Sequence, residues 1–369
     1  MLRQIGLRSL RARLPTRSIC CAQVFAEGVN TNVQSTSYDA APWTHRSMTN
    51  AANKCLPDAH LQSAHHTSSH TAHGVLLFNC RDQLGVTASI AKHIADNKAN
   101  LTSLDLFIDQ EDPYNPNFHS RVTFSFNEKT WPDSHITEDI AALAAEFAAK
   151  TTLYIPGITP QKRLGILVSK QDHCLMDLLN RWELGKLDCR IQFVASNHPQ
   201  SEVVLHRLAR FNIPFVKLPT SPDDKASPDQ PRKQEQALLQ LAKDTDFLVL
   251  ARYMQVLSGA FLKEYNRDVI NIHHGLLPSF KGANPYRQAF NAGVKMIGAT
   301  SHFVTEELDS GPIIEQLVDR VSHRDDVSQF AIKSKTLEMR CLTDAVTYFL
   351  DNRLIRYGTQ PNERVMTLN

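Results

Sequence analysis

Three polar residues far apart in the chain, Asn271, His273 and Asp309, are of the types that attack and open an acyl bond. Asn271 and His273 close the apolar run Val269-Ile270-Asn271-Ile272. Side chains two apart on a strand project to the same side, so amide and imidazole share one space if the strand persists to 273. Gly275 and Pro278 then turn the chain away. Asp309 begins the turn Asp309-Ser310-Gly311-Pro312, which exposes a carboxylate after the strand-like IGATSHFVT. An amide stabilises a developing oxyanion, and an imidazole and a carboxylate move protons. The trio suits acyl transfer. The chain has no GxSxG, which favours direct attack by a small activated nucleophile over a covalent intermediate. The same residues also have ordinary structural uses. Asn and His at a strand end are often satisfied by neighbours, and Asp is a good turn residue. Residue type alone leaves both readings open.

The elements that must position the trio follow from the pattern. GVLLFNC (74–80) reads as a buried strand and Thr87–Ala99 as a helix with Ile90, Ala91, Ile94 and Ala95 on one face. LTSLDLFID and HSRVTFSF read as strands, 134–150 as a helix with Ser134 at its N-cap, and TLYIPG as a fourth strand. This βαββαβ order fits a ferredoxin-like sandwich over 73–156. A linker at 157–162 follows. From 163 to 357 strands alternate with helices: RLGILVS, CRIQFVAS, IPFVKLP, DFLVLARY and VINIHH are the strands. That alternation predicts a doubly wound α/β domain with a mostly parallel sheet, whose ligands bind beyond the carboxyl ends of the strands. Residues 358–369 read as a C-terminal tail. The proline-rich, charged segment 221–233 reads as an exposed surface loop without a functional role.

At 369 residues the chain is long enough for two cores of ordinary size. Its 42% hydrophobic and 21% charged content excludes disorder throughout. Residues 1–72 carry seven Lys/Arg against three Asp/Glu, and the remainder is slightly acidic, which argues against nucleic acid as a partner. No apolar run reaches about 18 residues, so no membrane partner is expected. Seven cysteines without a CxxC fit a reducing compartment and give no zinc site. Residues 1–26 hold Arg3, Arg8, Arg11, Arg13 and Arg17 with no acid before Glu27. An arginine-rich, amphipathic, acid-poor leader predicts a transit peptide, for the mitochondrion or alternatively the chloroplast. Residues 27–72 are too polar to bury a core and read as a disordered linker. His60, His65, His66, His70 and His73 lie in or beside this low-complexity stretch, so no metal site is assigned to them.

The block NIHHGLLPSFKGANPYRQAFNAGVKMIGATSHFVTEELDSGPIIEQ (271–316) resembles the signature of the folate-dependent formyltransferase superfamily. SKQDHCLMDLLNRWELGKL, ASNHP, LARYMQVLS, NIHH and VSHRD further resemble its formyltetrahydrofolate deformylase family, over about residues 74–357. The N-terminal domain is similar to an ACT domain, a module that commonly binds amino acids and pairs with its own copies. The resemblance implies hydrolysis of 10-formyltetrahydrofolate to tetrahydrofolate and formate, with no cofactor and no metal. It casts Asn271 and His273 as oxyanion donors, His273 also as proton shuttle, and Asp309 as the base for water. A carboxylate beside an apolar, partly dehydrated site is expected to have a raised pKa. Folate contacts would come from Met254, Gln255 and Val256 and from Thr305, Glu306, Glu307, Leu308 and Asp309. Met254 and Val256 also read as core residues. Asp82, Gln83 and Gly85 would form an amino-acid effector loop, and a homo-oligomer is expected. Two positions depart from the family: Gly275 stands where Ser is frequent, and Lys281 where some members are apolar.

A phosphorylated amine acceptor needs a cradle of backbone N–H groups after the first strand of the sheet. Here Ser169-Lys170-Gln171-Asp172-His173 contains no GxG, and Asp172 would repel a phosphate. Water is therefore the expected nucleophile. His173 reads either as ordinary helix-start chemistry or as a residue that excludes bulky acceptors. The alternatives are formyl transfer to an amine, an amino-acid sensor without catalysis, and a dehydrogenase, the last disfavoured by the missing GxGxxG.

Overall fold

The computed structural model describes residues 71–368 apart from 113, 221–229, 283 and 360–361. The expected leader, most of the linker with its histidines up to His70, and Cys20, Cys21 and Cys55 lie outside the described residues.

Strict alternation of buried and part-exposed residues makes β1 (Thr71–Arg81) a strand with one covered face, Leu76, Phe78 and Cys80 pointing inward. It is followed by α1 (Val86–Asp96), β2 (Asn100–Asp109), β3 (Asn117–Asn127), α2 (Asp133–Glu146) and β4 (Lys150–Tyr154). The four strands form an antiparallel sheet in the order β2-β3-β1-β4. Ile90 and Ile94 of α1, Ile136 and Ile140 of α2, and Trp131 complete its core. The βαββαβ order is therefore the one expected. Three boundaries differ. β1 starts at Thr71, inside the stretch assigned to the linker. Ser134 lies within α2 rather than capping it: Pro132, already extended at φ −61° and ψ 146°, starts the helix, and Asp133 supplies a negative charge to its first turn. Ala148 at φ +48° turns the chain into β4 before the expected helix end. Asp82 to Gly85 form an exposed turn closed by Gly85 at φ +93°, a conformation that favours glycine.

The second lobe runs β5 (Lys162–Val168), α3 (His173–Glu183), β6 (Cys189–Ser196), α4 (Glu202–Arg210), β7 (Phe215–Lys217), α5 (Lys233–Leu241), β8 (Phe247–Ala251), α6 (Gly259–Tyr265) and β9 (Asp268–His273). It continues with α7 (Pro285–Asn291), β10 (Met296–Phe303), β11 (Ile313–Arg320), α8 (Val327–Leu350), β12 (Leu354–Tyr357) and β13 (Arg364–Thr367). Seven strands pair in the order β11-β10-β9-β8-β5-β6-β7. The five from β7 to β9 are parallel, and β10 and β11 are antiparallel. Both faces are covered. Ile166, Val249, Ile270 and Ile272 pack against α3, α4 and α8, while Leu167, Leu248, Leu250 and Val269 pack against α5 and α6. Gly165 lies where β5 passes closest to its neighbours, since a Cβ there would stand 2.6 Å from both Leu248 and Phe193.

The expected C-terminal tail is corrected: β13 pairs with β12, and Leu368 N–H donates to Arg353 O at 2.8 Å. Part of the proline-rich segment is corrected as well. Residues 221–229 lie outside the described residues, but Arg232 is bound to Glu235 and to the carbonyl of Val256. The two lobes meet through Arg121 Nε, which donates to Asp351 O at 3.3 Å, and through Phe107 against Tyr357, with ring centres 5.0 Å apart. Cys80, Cys174, Cys189 and Cys341 are buried free thiols. Among the described residues no helix is long and apolar enough to cross a membrane.

Candidate active site

The strand does persist to 273, so Asn271 and His273 follow Val269 onto the α5–α6 face at the carboxyl end of β9. Antiparallel pairing sets His302 of β10 directly opposite Asn271. Asn271 Nδ2 lies 3.1 Å from His302 Nε2, and His302 Nδ1 donates to Phe303 O at 2.8 Å. A carbonyl can only accept, so Nδ1 carries the hydrogen and the bare Nε2 accepts from the Asn271 amide. Burial pushes the His302 imidazole down, against the pull of the Phe303 carbonyl and the Asp309 charge, which keeps it neutral. One N–H of Asn271 is thereby fixed, and the amide is held with its second N–H uncommitted among the described residues. His302 was missed from sequence, and its only signal was its place opposite Asn271 once the strands were paired.

Asp309 adopts φ +53° in its turn and is buried. Its Oδ2 lies 3.2 Å from His273 Nδ1 and accepts the Gly282 N–H at 3.2 Å. Its Oδ1 lies 3.9 Å from His302 Nε2 and takes no hydrogen bond from the described residues. The three residues separated in sequence thus meet around one point. The expected raised carboxyl pKa is corrected. Burial does push Asp309 up, but the hydrogen bond and charge of His273, the Gly282 N–H and His302 outweigh it, and the carboxyl sits below its ordinary value.

The segment after β9 folds over the trio. His273 Nε2 donates to Phe280 O at 3.1 Å, so both ring nitrogens are engaged in this arrangement. Lys281 Nζ donates to Ser310 Oγ at 2.7 Å, tying the same segment to the Asp309 turn. Gly275 is explained here: a Cβ would stand 3.1 Å from His273 Nε2.

Beside the trio lies a cavity lined by Gln255, Val256 and Leu257, by Thr305, Glu306, Glu307, Leu308 and Asp309, and by Asn271 and His302. Most of the expected folate set therefore surrounds one space. Met254 does not line it; its N–H donates to Ser169 Oγ at 2.9 Å and anchors the loop. Neither Met254 nor Val256 is a core residue, both being more than half exposed at 57% and 55%. The loop is also clamped from α5. The buried Glu235 carboxylate accepts from Arg232 N (2.9 Å), Arg232 Nη2 (2.6 Å), Ser258 N (2.8 Å) and Ser258 Oγ (2.7 Å). Burial pushes this carboxyl up, and those four bonds bring it below its ordinary value.

A second polar group lies on the α3–α8 side. Glu338, fully buried on α8, lies 2.8 Å from His173 Nε2 and 3.2 Å from Arg252 Nε, and Tyr286 donates its hydroxyl to it. Burial raises the Glu338 carboxyl, and the His173 hydrogen bond, the Arg252 charge and Tyr286 bring it below the usual range. The Cys174 thiol stands beside this group, and together with His173 and Glu338 it offers ligand atoms within 4.8 Å of one another. The Arg252 guanidinium already occupies the carboxylate, and burial holds the Cys174 thiol protonated, so the donors do not suit a cation. His274 is pushed down to about 3 by burial and the Arg252 charge and is neutral.

This mostly parallel α/β lobe, with an amide, an imidazole and a carboxylate gathered at one strand end, belongs to the formyl transferase class of folds: the family model of that description matches residues 162–346. Formyltetrahydrofolate deformylase 1, mitochondrial, of Arabidopsis thaliana is 48% identical over 290 residues, 78% of this chain and 86% of the relative. A solved formyltetrahydrofolate deformylase from Pseudomonas syringae superposes with a TM-score of 0.70 at 33% identity, covering 82% of this chain and 96% of that one. The chain belongs to the formyltetrahydrofolate deformylase family. A glycinamide ribonucleotide transformylase from Symbiobacterium toebii is more distant, with a TM-score of 0.51 at 30% identity over 59% of this chain and 98% of that one.

Proposed function

We propose that the protein hydrolyses 10-formyltetrahydrofolate to tetrahydrofolate and formate. The observation that carries this reading is the Asp309 Oδ1, without a hydrogen bond among the described residues, 3.9 Å from the same His302 Nε2 that holds the Asn271 amide, in a cavity that Asn271 and Asp309 both line. The folate enters the cavity between the loop at 255–257 and the turn at 305–309, and its formyl oxygen accepts the uncommitted N–H of Asn271. A water held on Asp309 Oδ1 attacks the formyl carbon and gives its proton to the carboxylate. The C–N bond breaks, the departing nitrogen takes that proton through His273, and the formic acid released gives its remaining proton to solvent and leaves as formate. For His273 to serve the reacting atoms, the Phe280 carbonyl must yield its Nε2. No cofactor or metal is required, because the formyl amide is already an activated acyl donor.

The N-terminal lobe acts as an ACT domain in this reading. It supports a homo-oligomer and receives an amino-acid effector at the exposed turn of Asp82, Gln83 and Gly85. Residues 1–26 direct the chain to the mitochondrion, in keeping with the name of the Arabidopsis relative. The experiment is formate release from 10-formyltetrahydrofolate with neither amine acceptor nor NAD(P). Steady turnover is expected. Turnover that yields a formylated amine and no formate, and only when an amine is supplied, would make the protein a transferase; turnover that yields carbon dioxide and reduced NAD(P) would make it a dehydrogenase.

A further inference from the structure

The two faces of the central sheet serve different halves of the site. The cavity beside the trio opens between Leu250, Tyr253 and Leu257, which belong to the α5–α6 core. Across the strand ends, toward α3 and α8, sits the Glu338 group, which the hydrolytic scheme does not use. It draws on five separate pieces of chain: Gln171 and His173 at the start of α3, Arg252 after β8, His274 after β9, Tyr286 on α7 and Glu338 on α8. His274 joins it to the trio, its ring centre 5.5 Å from that of His273 and 5.0 Å from that of Tyr286.

Such a group is expensive to keep. It buries a carboxylate and a guanidinium together, and the attraction between them only partly offsets the loss of water. Arg252 holds φ +63°, a strained conformation for a residue with a Cβ. That turn at the end of β8 carries its guanidinium to Glu338 at 3.2 Å and to Gln171 Oε1 at 3.1 Å, and its Nη1 has no hydrogen-bond partner among the described residues. His173 forms the rim, 14% exposed, where an incoming molecule would first meet the group.

We propose that this group selects the nucleophile, filling the space through which an amine would reach the formyl carbon and leaving passage for water alone. The proposal rests on the hydrolytic reading above. A nucleophile approaches a carbonyl across the plane of the amide. With the folate occupying the α5–α6 side, the remaining approach crosses the strand ends from the α3–α8 side. There the His173 ring, held by Glu338 at 2.8 Å, begins α3 directly after the β5–α3 turn. Were an amine admitted, its nitrogen would bond the formyl carbon and the bond from that carbon to the folate nitrogen would break. The amine's proton would pass to the departing nitrogen, giving a formylated amine in place of formate. His173 and Tyr286 are thus specificity-determining residues that need not touch the reacting atoms.

The test uses the full chain, 10-formyltetrahydrofolate, and hydroxylamine or glycinamide as acceptor. The ratio of formylated amine to formate is read by mass spectrometry and corrected for the reaction without enzyme. This ratio does not depend on how much enzyme is folded. His173→Ala clears the rim while leaving Glu338 its Arg252 and Tyr286 partners, and should raise the ratio about tenfold or more for hydroxylamine, less for the larger glycinamide. His173→Gln, which refills the space, should return it to the wild-type value; if the alanine variant does not fold, His173→Ser, which also clears the ring but keeps a hydroxyl for Glu338, should raise the ratio in its place. Tyr286→Phe keeps the volume and should leave the ratio low. An unchanged ratio in His173→Ala with hydrolysis retained overturns the proposal. So does loss of hydrolysis and transfer together in a folded variant, which would place His173 in support of catalysis itself. Absence of formate from the wild type without amine would instead sink the hydrolytic reading.

Discussion

Replacing Asp309 by Asn removes the base with little change of shape. The amide oxygen can still accept from Gly282 N–H and His273, but the negative charge and the proton acceptor at Oδ1 are gone. A positioned general base contributes about 10²–10⁴-fold, or roughly 3–5 kcal/mol at 1.36 kcal/mol per decade. Because Oδ1 takes no hydrogen bond from the described residues and lies 3.9 Å from His302 Nε2, a loss of about 10³ in kcat is expected, with KM within about threefold. The pH profile carries a sign. Burial pushes the Asp309 carboxyl up, but His273, Gly282 and His302 bring it below its ordinary value. A depressed carboxyl stays ionised through the range where an ordinary one protonates, so the acid limb due to Asp309 should fall below about pH 4. The same depression stabilises the fold above the unfolded carboxyl pKa and is lost as pH falls through the folded one. The variant should therefore lose less of its Tm than the wild type between about pH 6 and pH 3. Formate release coupled to formate dehydrogenase and thermal melts at both pH values measure these outcomes. A loss in kcat under tenfold, or an Asp309-dependent limb near neutrality, would refute the reasoning.

Three further substitutions separate the parts of the site. Asn271→Ala removes the oxyanion donor and should cost about 10²–10³ in kcat; a loss under fivefold in the same assay would take Asn271 out of that role. Glu235→Gln keeps the shape of the clamp on the loop at 254–258 but weakens bonds to a buried charge, so KM for the folate should rise about tenfold, roughly 1.4 kcal/mol, with kcat little changed. A kcat effect with constant KM would contradict it. Gly165→Ala places a Cβ 2.6 Å from Leu248 and Phe193 and should destabilise by about 1–3 kcal/mol, read as a lower urea midpoint. An unchanged midpoint would show that the two side chains can give way.

Much of this architecture was legible because periodicity reports directly on burial. The βαββαβ lobe and the strands from β5 to β9 followed from apolar alternation and run length, and the i, i+2 spacing put Asn271 and His273 on one face. What stayed hidden depends on contacts between distant segments. His302 gains its importance from the β9–β10 register. Glu338 looks like any helix acid until α8 is laid against Arg252 and His173. Helix α8 itself went unread, and β13 was taken for a tail because four residues carry too little pattern to mark a strand. The pKa of Asp309 was misjudged for the same reason. Burial could be guessed from an apolar neighbourhood, but the Gly282 N–H that helps to offset it comes from a loop 27 residues away.

The depressed Asp309 carboxyl bears on the mechanism. A carboxylate held below its ordinary pKa is a weaker base than a raised one, and a weaker base draws less of the proton from water in the transition state. The rate must then owe more to stabilising the charge that develops on the formyl oxygen. The structure is arranged for this: the amide of Asn271 is immobilised by a neutral His302 whose own tautomer is fixed by Phe303, so its remaining N–H needs little reorganisation when the oxyanion forms. On this reasoning the losses from Asp309→Asn and Asn271→Ala should lie within about tenfold of each other, since neither group carries most of the barrier. A far larger loss at Asp309 would mean that the contact with His273 loosens when folate binds and that the carboxyl regains its strength as a base there.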